Sequence, residues 1–249
     1  MSAIMFKLKC ITNMHVGSGD VNYNLIDNEV ERDPVTEYPM IHASGVKGAL
    51  REYFSRNAEL AGDVDDIFGC DTQGKTSPGK LKFLEANMLA VPARASKGES
   101  AYYLISTENA LNTYAEYRSL FWEEKQKKQT EIRSKEQWAE ERGIEGIDLS
   151  ISTMLLEEEI HIVSEEEFRS ISLPVIARNK LENGISKNVW YEEIVPHQSV
   201  FYFIVMSNDT PQERELLKKF KSAVDNQVIQ FGANASIGYG LCKVTVAEE

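Results

Sequence analysis

The residues of this chain best suited to chemistry are loop acids and glycine turns, not a preformed catalytic cluster. Between the turn Gly17-Ser18-Gly19 and a helix predicted to begin at Ser44 lie Asp20, Asp27, Glu29, Glu31 and Asp33. They lie in a loop and not on a predicted helix that would fix one carboxylate beside another, so spacing alone points neither to a paired general acid and base nor to a two-metal site. The histidines His15, His42, His161 and His197 lack metal-ligand spacing. Three of them read as turn or surface residues, and only His15, beside a glycine turn, is a candidate acid or base. There is no GxSxG, HExxH or P-loop, so serine hydrolase, zinc protease and NTPase readings fail.

Anion binding has better candidates. Ser44 is expected to cap a helix whose free N–H groups and positive dipole end favour phosphate. Lys47 and Arg51, one turn apart, share a face of that helix, and Gly45 and Gly48 allow close approach. An ordinary amphipathic helix with two exposed bases would show the same residues. The turn at Gly17 and the stretch from Gly232 through Asn234, Ser236 and Gly238 to Gly240 are further candidate phosphate cradles, though each alone is also what a tight turn looks like.

These residues need elements to hold them. Residues 5–12 alternate apolar and polar and read as a strand. Val46, Leu50, Tyr53 and Phe54 give the Ser44 helix an apolar side. Residues 107–142 read as helical throughout, with Glu123–Lys127, Glu124–Lys128 and Glu131–Lys135 as i,i+4 pairs. Asn183-Gly184 signals a two-residue hairpin turn. Residues 201–206 read as a strand, and Thr210-Pro211-Gln212-Glu213 as a helix start that buries Leu216, Leu217, Phe220, Ala223 and Val224. A last strand spans 241–246. The ends of the chain thus read as β–α … β–α–β, compatible with an α+β, ferredoxin-like sheet with helices on one face.

Composition sets outer bounds. A chain of 249 residues with 42% hydrophobic content suits a single domain with insertions. No apolar run approaches the ~20 residues of a membrane span, and the charged MSAIMFKLKC start is not read as a signal peptide. Cys10, Cys70 and Cys242 are widely spaced, which fits a reducing cytoplasm and no disulfide framework. A net charge of −12 opposes nucleic-acid binding unless its distribution is uneven. It is uneven: residues 140–170 hold ten acids against two arginines.

Taken together, the segments are more specific than any one of them. His15-Val-Gly-Ser-Gly, then the run from Ile26-Asp27-Asn28-Glu29 to Asp33-Pro34, and Pro39-Met-Ile-His-Ala-Ser44-Gly-Val-Lys47 before Asp66-Ile-Phe-Gly69, resemble the RAMP family of CRISPR proteins. The loop Gly232-Ala-Asn-Ala-Ser-Ile-Gly238-Tyr-Gly resembles that family's glycine-rich loop. The stretch from Leu173-Pro-Val-Ile-Ala-Arg178 through Asn183-Gly184 to Trp190-Tyr-Glu-Glu is similar to the backbone subunit of type III-B (Cmr-type) effector complexes. The type III-A (Csm-type) equivalent is the nearest alternative.

The resemblance implies an RRM-like, ferredoxin-like RAMP core over residues 1–249, with a helical insertion near 107–145 and a projecting hairpin thumb near 178–195. It implies a guide-RNA-coating subunit, stacked head to tail with copies of itself and assembled with other RAMP and small helical subunits in a prokaryotic cytoplasm. Complementary target RNA would be cut at regular intervals. Asp27 takes the cutting position, with Mg2+ or Mn2+ held weakly and completed by RNA phosphates. His15, Gly17, Ser18, Ser44, Lys47, Arg51, Arg178, Gly232, Asn234 and Gly238 take RNA-binding positions. Ala43 and Gly45 depart from the commoner family pattern. A non-catalytic scaffold, and a guide-processing nuclease using His15, remain as other readings.

Overall fold

The computed structural model describes residues 1–17, 25–72, 75–122, 131–138 and 140–248. β1 (Ser2–Cys10) is followed by β2 (Met40–Ile41), which runs almost directly into α1 (Ala43–Arg56). After α2 (Val64–Phe68) come β3 (Gly69–Thr72), β4 (Lys75–Pro78), β5 (Lys82–Phe83) and the long β6 (Ala86–Lys97). β7 (Tyr102–Thr107) leads into α3 (Glu108–Phe121). Short strands follow: β8 (Glu131–Ser134), β9 (Gly143–Ile144), β10 (Ile147–Asp148), β11 (Ile151–Leu155) and β12 (Glu158–Val163). The chain continues through α4 (Glu165–Ser170), β13 (Val175–Glu182), β14 (Ile185–Glu193) and β15 (Val200–Ser207). It ends with α5 (Pro211–Val224), β16 (Gln227–Gln230) and β17 (Leu241–Glu248).

One large sheet runs in the order β16-β17-β1-β15-β6-β7-β12-β11-β8, while β13 and β14 form a separate ribbon. Alternation along the central strands fills a core on each face. Phe6, Leu8 and Cys10 of β1, with Phe201, Phe203 and Val205 of β15, join Val46, Leu50 and Phe54 of α1 and Leu217, Phe220 and Val224 of α5. Met5, Val200, Tyr202 and Ile204 point the other way, toward Tyr114 of α3. The Phe220 ring lies 5.4 Å from Phe54, 5.7 Å from Phe83 and 5.9 Å from Phe6. Burying each such ring contributes roughly 1.5–3 kcal/mol, so this cluster fixes α1 and α5 against one sheet face.

Two expectations are corrected. The helix predicted over 107–142 ends at Phe121, where Trp122 turns extended (φ −129°, ψ 134°). Glu131 opens a strand instead, with Thr153 opposite Ile132 in the β11–β8 pair. Charge pairs along a helix are worth only ~0.2–0.5 kcal/mol each, too little to hold a helix where strand pairing is available. The Glu123–Lys127 and Glu124–Lys128 pairs lie outside the described residues. Ser44 is not the cap of α1 either. β2 runs so close to the helix that His42 takes the cap position, with non-helical backbone (φ −52°, ψ 149°) and no side-chain bond to the helix, and its carbonyl accepts the first helical bond, from Val46 N–H, at 3.0 Å. Ser44 lies exposed on the first turn.

The acids of residues 140–170 are largely put to structural use. Glu158 bonds Lys7 at 2.7 Å and Lys9 at 2.8 Å. Burial acts to raise its carboxyl, but the two lysines outweigh this and hold it below the ordinary glutamate range. Glu159 pairs with Arg142 at 3.0 Å and Asp148 with Lys97 at 2.7 Å. Glu167 closes a capping box with Ser164.

Candidate functional site

The β13–β14 ribbon organises the site. Asn183 (φ 51°) and Gly184 (φ 79°) form its turn, the left-handed pair that a tight hairpin needs. Leu181 and Ile185 near the tip are 60% and 63% exposed, so the ribbon projects. Its base is enclosed instead. Glu192 and Glu193 point to opposite faces of the ribbon, yet both are buried, because loops cover both sides there.

Glu192 faces the glycine-rich loop. Its carboxylate accepts Arg178 at 2.8 Å and the Asn234 amide at 2.9 Å. The Arg178 guanidinium also lies over the rings of Trp190 (5.5 Å) and Tyr239 (5.8 Å). That loop can pack so closely because residue 232 is glycine. At φ 75°, a Cβ there would lie 2.4 Å from the His15 carbonyl oxygen, whose bond from Ala233 N–H is 2.8 Å. Gly238 sits exposed at the far end of the same loop.

His15 is buried between these elements. A carbonyl only accepts, so the 2.7 Å contact of Nδ1 with the Glu193 carbonyl fixes Nδ1 as the protonated nitrogen. Nε2 faces Glu192 at 3.9 Å. This ring acts as a spacer between loops, and its burial argues against a direct acid–base role. Gly17, two residues on, bridges Val30 as a short antiparallel pair.

Asp27 lies on the segment that covers the ribbon's other side. Its Oδ2 accepts Tyr191 N–H at 2.8 Å, and its own N–H donates to the Tyr191 carbonyl at 3.0 Å. The residue is exposed, so its carboxylate is aimed from the ribbon's edge with an oxygen left over. Among the described residues no group of three or more His, Cys, Asp or Glu is placed to hold a metal ion. A single exposed carboxylate fits only an ion that takes its remaining ligands from substrate and water.

The expected residues therefore fall into two sets. His15, Gly17, Asp27, Arg178, Gly232 and Asn234 meet at the ribbon base. Ser44, Lys47 and Arg51 sit apart on α1, whose start is tied in by a 3.0 Å contact between His42 and Glu31. Arg51 is turned from Lys47 toward the Gly69 carbonyl, at 2.9 Å, and Asp65, at 3.9 Å. Ser18 lies outside the described residues, as do Gly19 and Asp20. Sequence reasoning missed Glu192, Glu193 and Arg32 as site residues. The only signal was an adjacent acid pair ending an aromatic strand.

The sequence profile of the RAMP superfamily matches residues 7–243. The chain is 25% identical over 288 aligned residues to "CRISPR system Cmr endoribonuclease Cmr4" of Pyrococcus furiosus, covering 100% of this chain and 97% of that relative. It is similar to a chain of a type III-B Cmr-beta structure bound to cognate target RNA, with a TM-score of 0.76 and 17% identity over 99% of this chain and 98% of that one. Oligomeric Cmr4 from Pyrococcus furiosus gives a TM-score of 0.71 and 20% identity over 100% and 99%.

Proposed function

The chain belongs to the RAMP superfamily, and we propose that it is the guide-RNA-binding backbone subunit of a type III-B CRISPR effector complex, where it cuts complementary target RNA. The full-length relative carries the name of a Cmr endoribonuclease. The observation that carries the reading on to this chain's own residues is the exposed Asp27 carboxylate, anchored by the Tyr191 N–H at the foot of a projecting hairpin. The strand order β17-β1-β15-β6, with α1 and α5 packed on one face, supports a ferredoxin-like, RRM-like core. The β13–β14 ribbon is the thumb in this reading. Stacking with copies of itself, and with other subunits along a guide in a prokaryotic cytoplasm, follows from the similarity to an oligomeric relative and to a target-bound complex.

RNA brings its own nucleophile, the 2′-OH, so the protein's task is to hold one nucleotide in line with the phosphate to be cut. A ribbon wedged between paired strands can impose that geometry at a cost of a few kcal/mol in unstacking. Mg2+ or Mn2+ on Asp27, completed by RNA phosphates, would neutralise charge building on the phosphate. Asp27 itself orients and supplies negative charge at that point, while the glycine-rich loop and Lys47 contact backbone and leave sequence to base pairing.

Asp27→Ala in a complex built wholly from the variant tests this. Target cleavage is expected to fall by at least about a hundredfold, with guide and target binding retained. Undiminished cleavage would show that Asp27 only staples its loop to Tyr191, and that the subunit is a scaffold.

A further inference from the structure

Glu193 is where the loops of the site converge. Its side chain is 8% exposed. One carboxylate oxygen accepts Val30 N–H at 3.0 Å, and the other pairs with Arg32 at 2.5 Å. Its backbone N–H donates to the Asn28 carbonyl at 2.9 Å, and its carbonyl accepts His15 Nδ1–H at 2.7 Å. Asn28, Val30 and Arg32 are alternate residues of the segment that carries Asp27. The Glu193 carboxylate thus fastens two points of that segment, Val30 and Arg32, to the ribbon base, while the backbone of the same residue binds Asn28 and the His15 loop.

Asp27 hydrogen-bonds to the ribbon through the backbone of Tyr191. That pair of bonds sets its distance from β14, but the course of the chain beyond it is set by Glu193. An uncompensated buried acid is unfavourable, so the carboxylate holds both partners firmly. We propose that Glu193 is a positioning residue for target cleavage, its carboxylate holding the Asp27 segment in register with the thumb through Val30 and Arg32. The proposal rests on Asp27 as the cutting residue. Glu193 itself touches no substrate; it acts by fixing where Asp27 stands, and displacement by about 1 Å is enough to slow a reaction by ~100-fold.

The test uses complexes assembled from Glu193→Ala, Glu193→Gln and Asp27→Ala chains, with labelled complementary RNA at saturating enzyme. Glu193→Ala is expected to slow single-turnover cleavage by roughly 30-fold while the Kd for target stays within about twofold. Glu193→Gln keeps an oxygen for Val30 N–H but turns a donor NH2 toward the Arg32 guanidinium, so it loses the Arg32 pair while holding Val30 and should recover to within about fivefold of wild type. Should Glu193→Ala fail to assemble, Glu193→Gln and Arg32→Met carry the test, each expected to be several-fold slower at unchanged Kd. Wild-type rates from Glu193→Ala, or from both substitutes, overturn the proposal. So does a Glu193→Ala complex whose target binding falls in step with its rate, because that marks a general structural role. Full cleavage by Asp27→Ala would instead sink the cutting assignment and the proposal with it, whereas an inert Asp27→Ala beside a fast Glu193→Ala sinks the positioning role alone.

Discussion

His161 shows how much of this chain's polar chemistry is structural. The ring packs edge-on against Tyr103 (5.2 Å) and Trp138 (5.3 Å). The Arg142 guanidinium lies over both aromatic rings and reaches His161 Nε2 at 3.5 Å. Guanidinium only donates, so this contact requires Nε2 to be unprotonated. Burial first, and Arg142 second, push the pKa down to about 4, against an opposing pull from Glu159. The folded pKa therefore lies below the unfolded value, so the unfolded chain binds more protons between pH 4 and 6.5 and stability rises with pH there. The contribution is whole above pH 6.5 and is lost as pH falls toward the folded pKa. Urea unfolding of wild type and His161→Gln at pH 7.5 and 5.0 should show the wild type losing about 2 kcal/mol more than the variant. Equal losses would mean that the ring is already protonated in the fold or is reached by solvent.

The ribbon is the element whose behaviour should separate from the rest. Its outer half makes strand-to-strand contacts and little else; Leu181, Ile185 and Val189 are all exposed. Gly184→Val forces a β-branched residue to φ 79°, a cost on the order of 1–3 kcal/mol. Since the tip is not packed on the core, that cost should appear as faster amide exchange across β13 and β14, with Tm changed by about 1 °C or less. A large fall in Tm would show that the tip is coupled to global folding. This hairpin was legible in the sequence because Asn-Gly is a local signal, as were β15, a continuous apolar run buried on both faces, and α5, whose buried residues follow period 3.6. The region between α3 and β12 was not. Its helix-like charge pairs are individually weak, and strand pairing over long sequence distance decided the outcome. The site was half legible for a related reason. Asp27, His15 and the glycine-rich loop stood out through their resemblance to known segments, but the acids that join them looked like any exposed acid. Burial of Glu193 depends on a loop more than a hundred residues earlier in the chain, and Glu192 faces a loop 42 residues later, which no local pattern reports.

At the scale of the whole molecule, the issue is how a chain of net charge −12 would hold RNA in the proposed role. The answer lies in which cations are already committed. Lys7 and Lys9 are bound to Glu158, Lys97 to Asp148, Arg142 to Glu159 and Arg178 to Glu192. Lys47, on the open face of α1, has no such ion pair among the described residues. A phosphate must compete with a carboxylate in the first group and only with water at Lys47, so charge count is a poor guide to binding. Lys47→Ala should weaken guide-RNA binding and lower the slope of log K against log salt by about 1, with thermal stability unchanged. Lys7→Met with Lys9→Met should do the reverse. It strands Glu158, whose side chain is 14% exposed, and should lower stability by about 3 kcal/mol while leaving the salt slope intact. Binding titrations from 50 to 200 mM salt, paired with urea unfolding, separate the two roles. A Lys7/Lys9 variant that lost a unit of slope would place those lysines on the RNA after all, and Glu158 at the start of β12 would then have to move aside for it to bind.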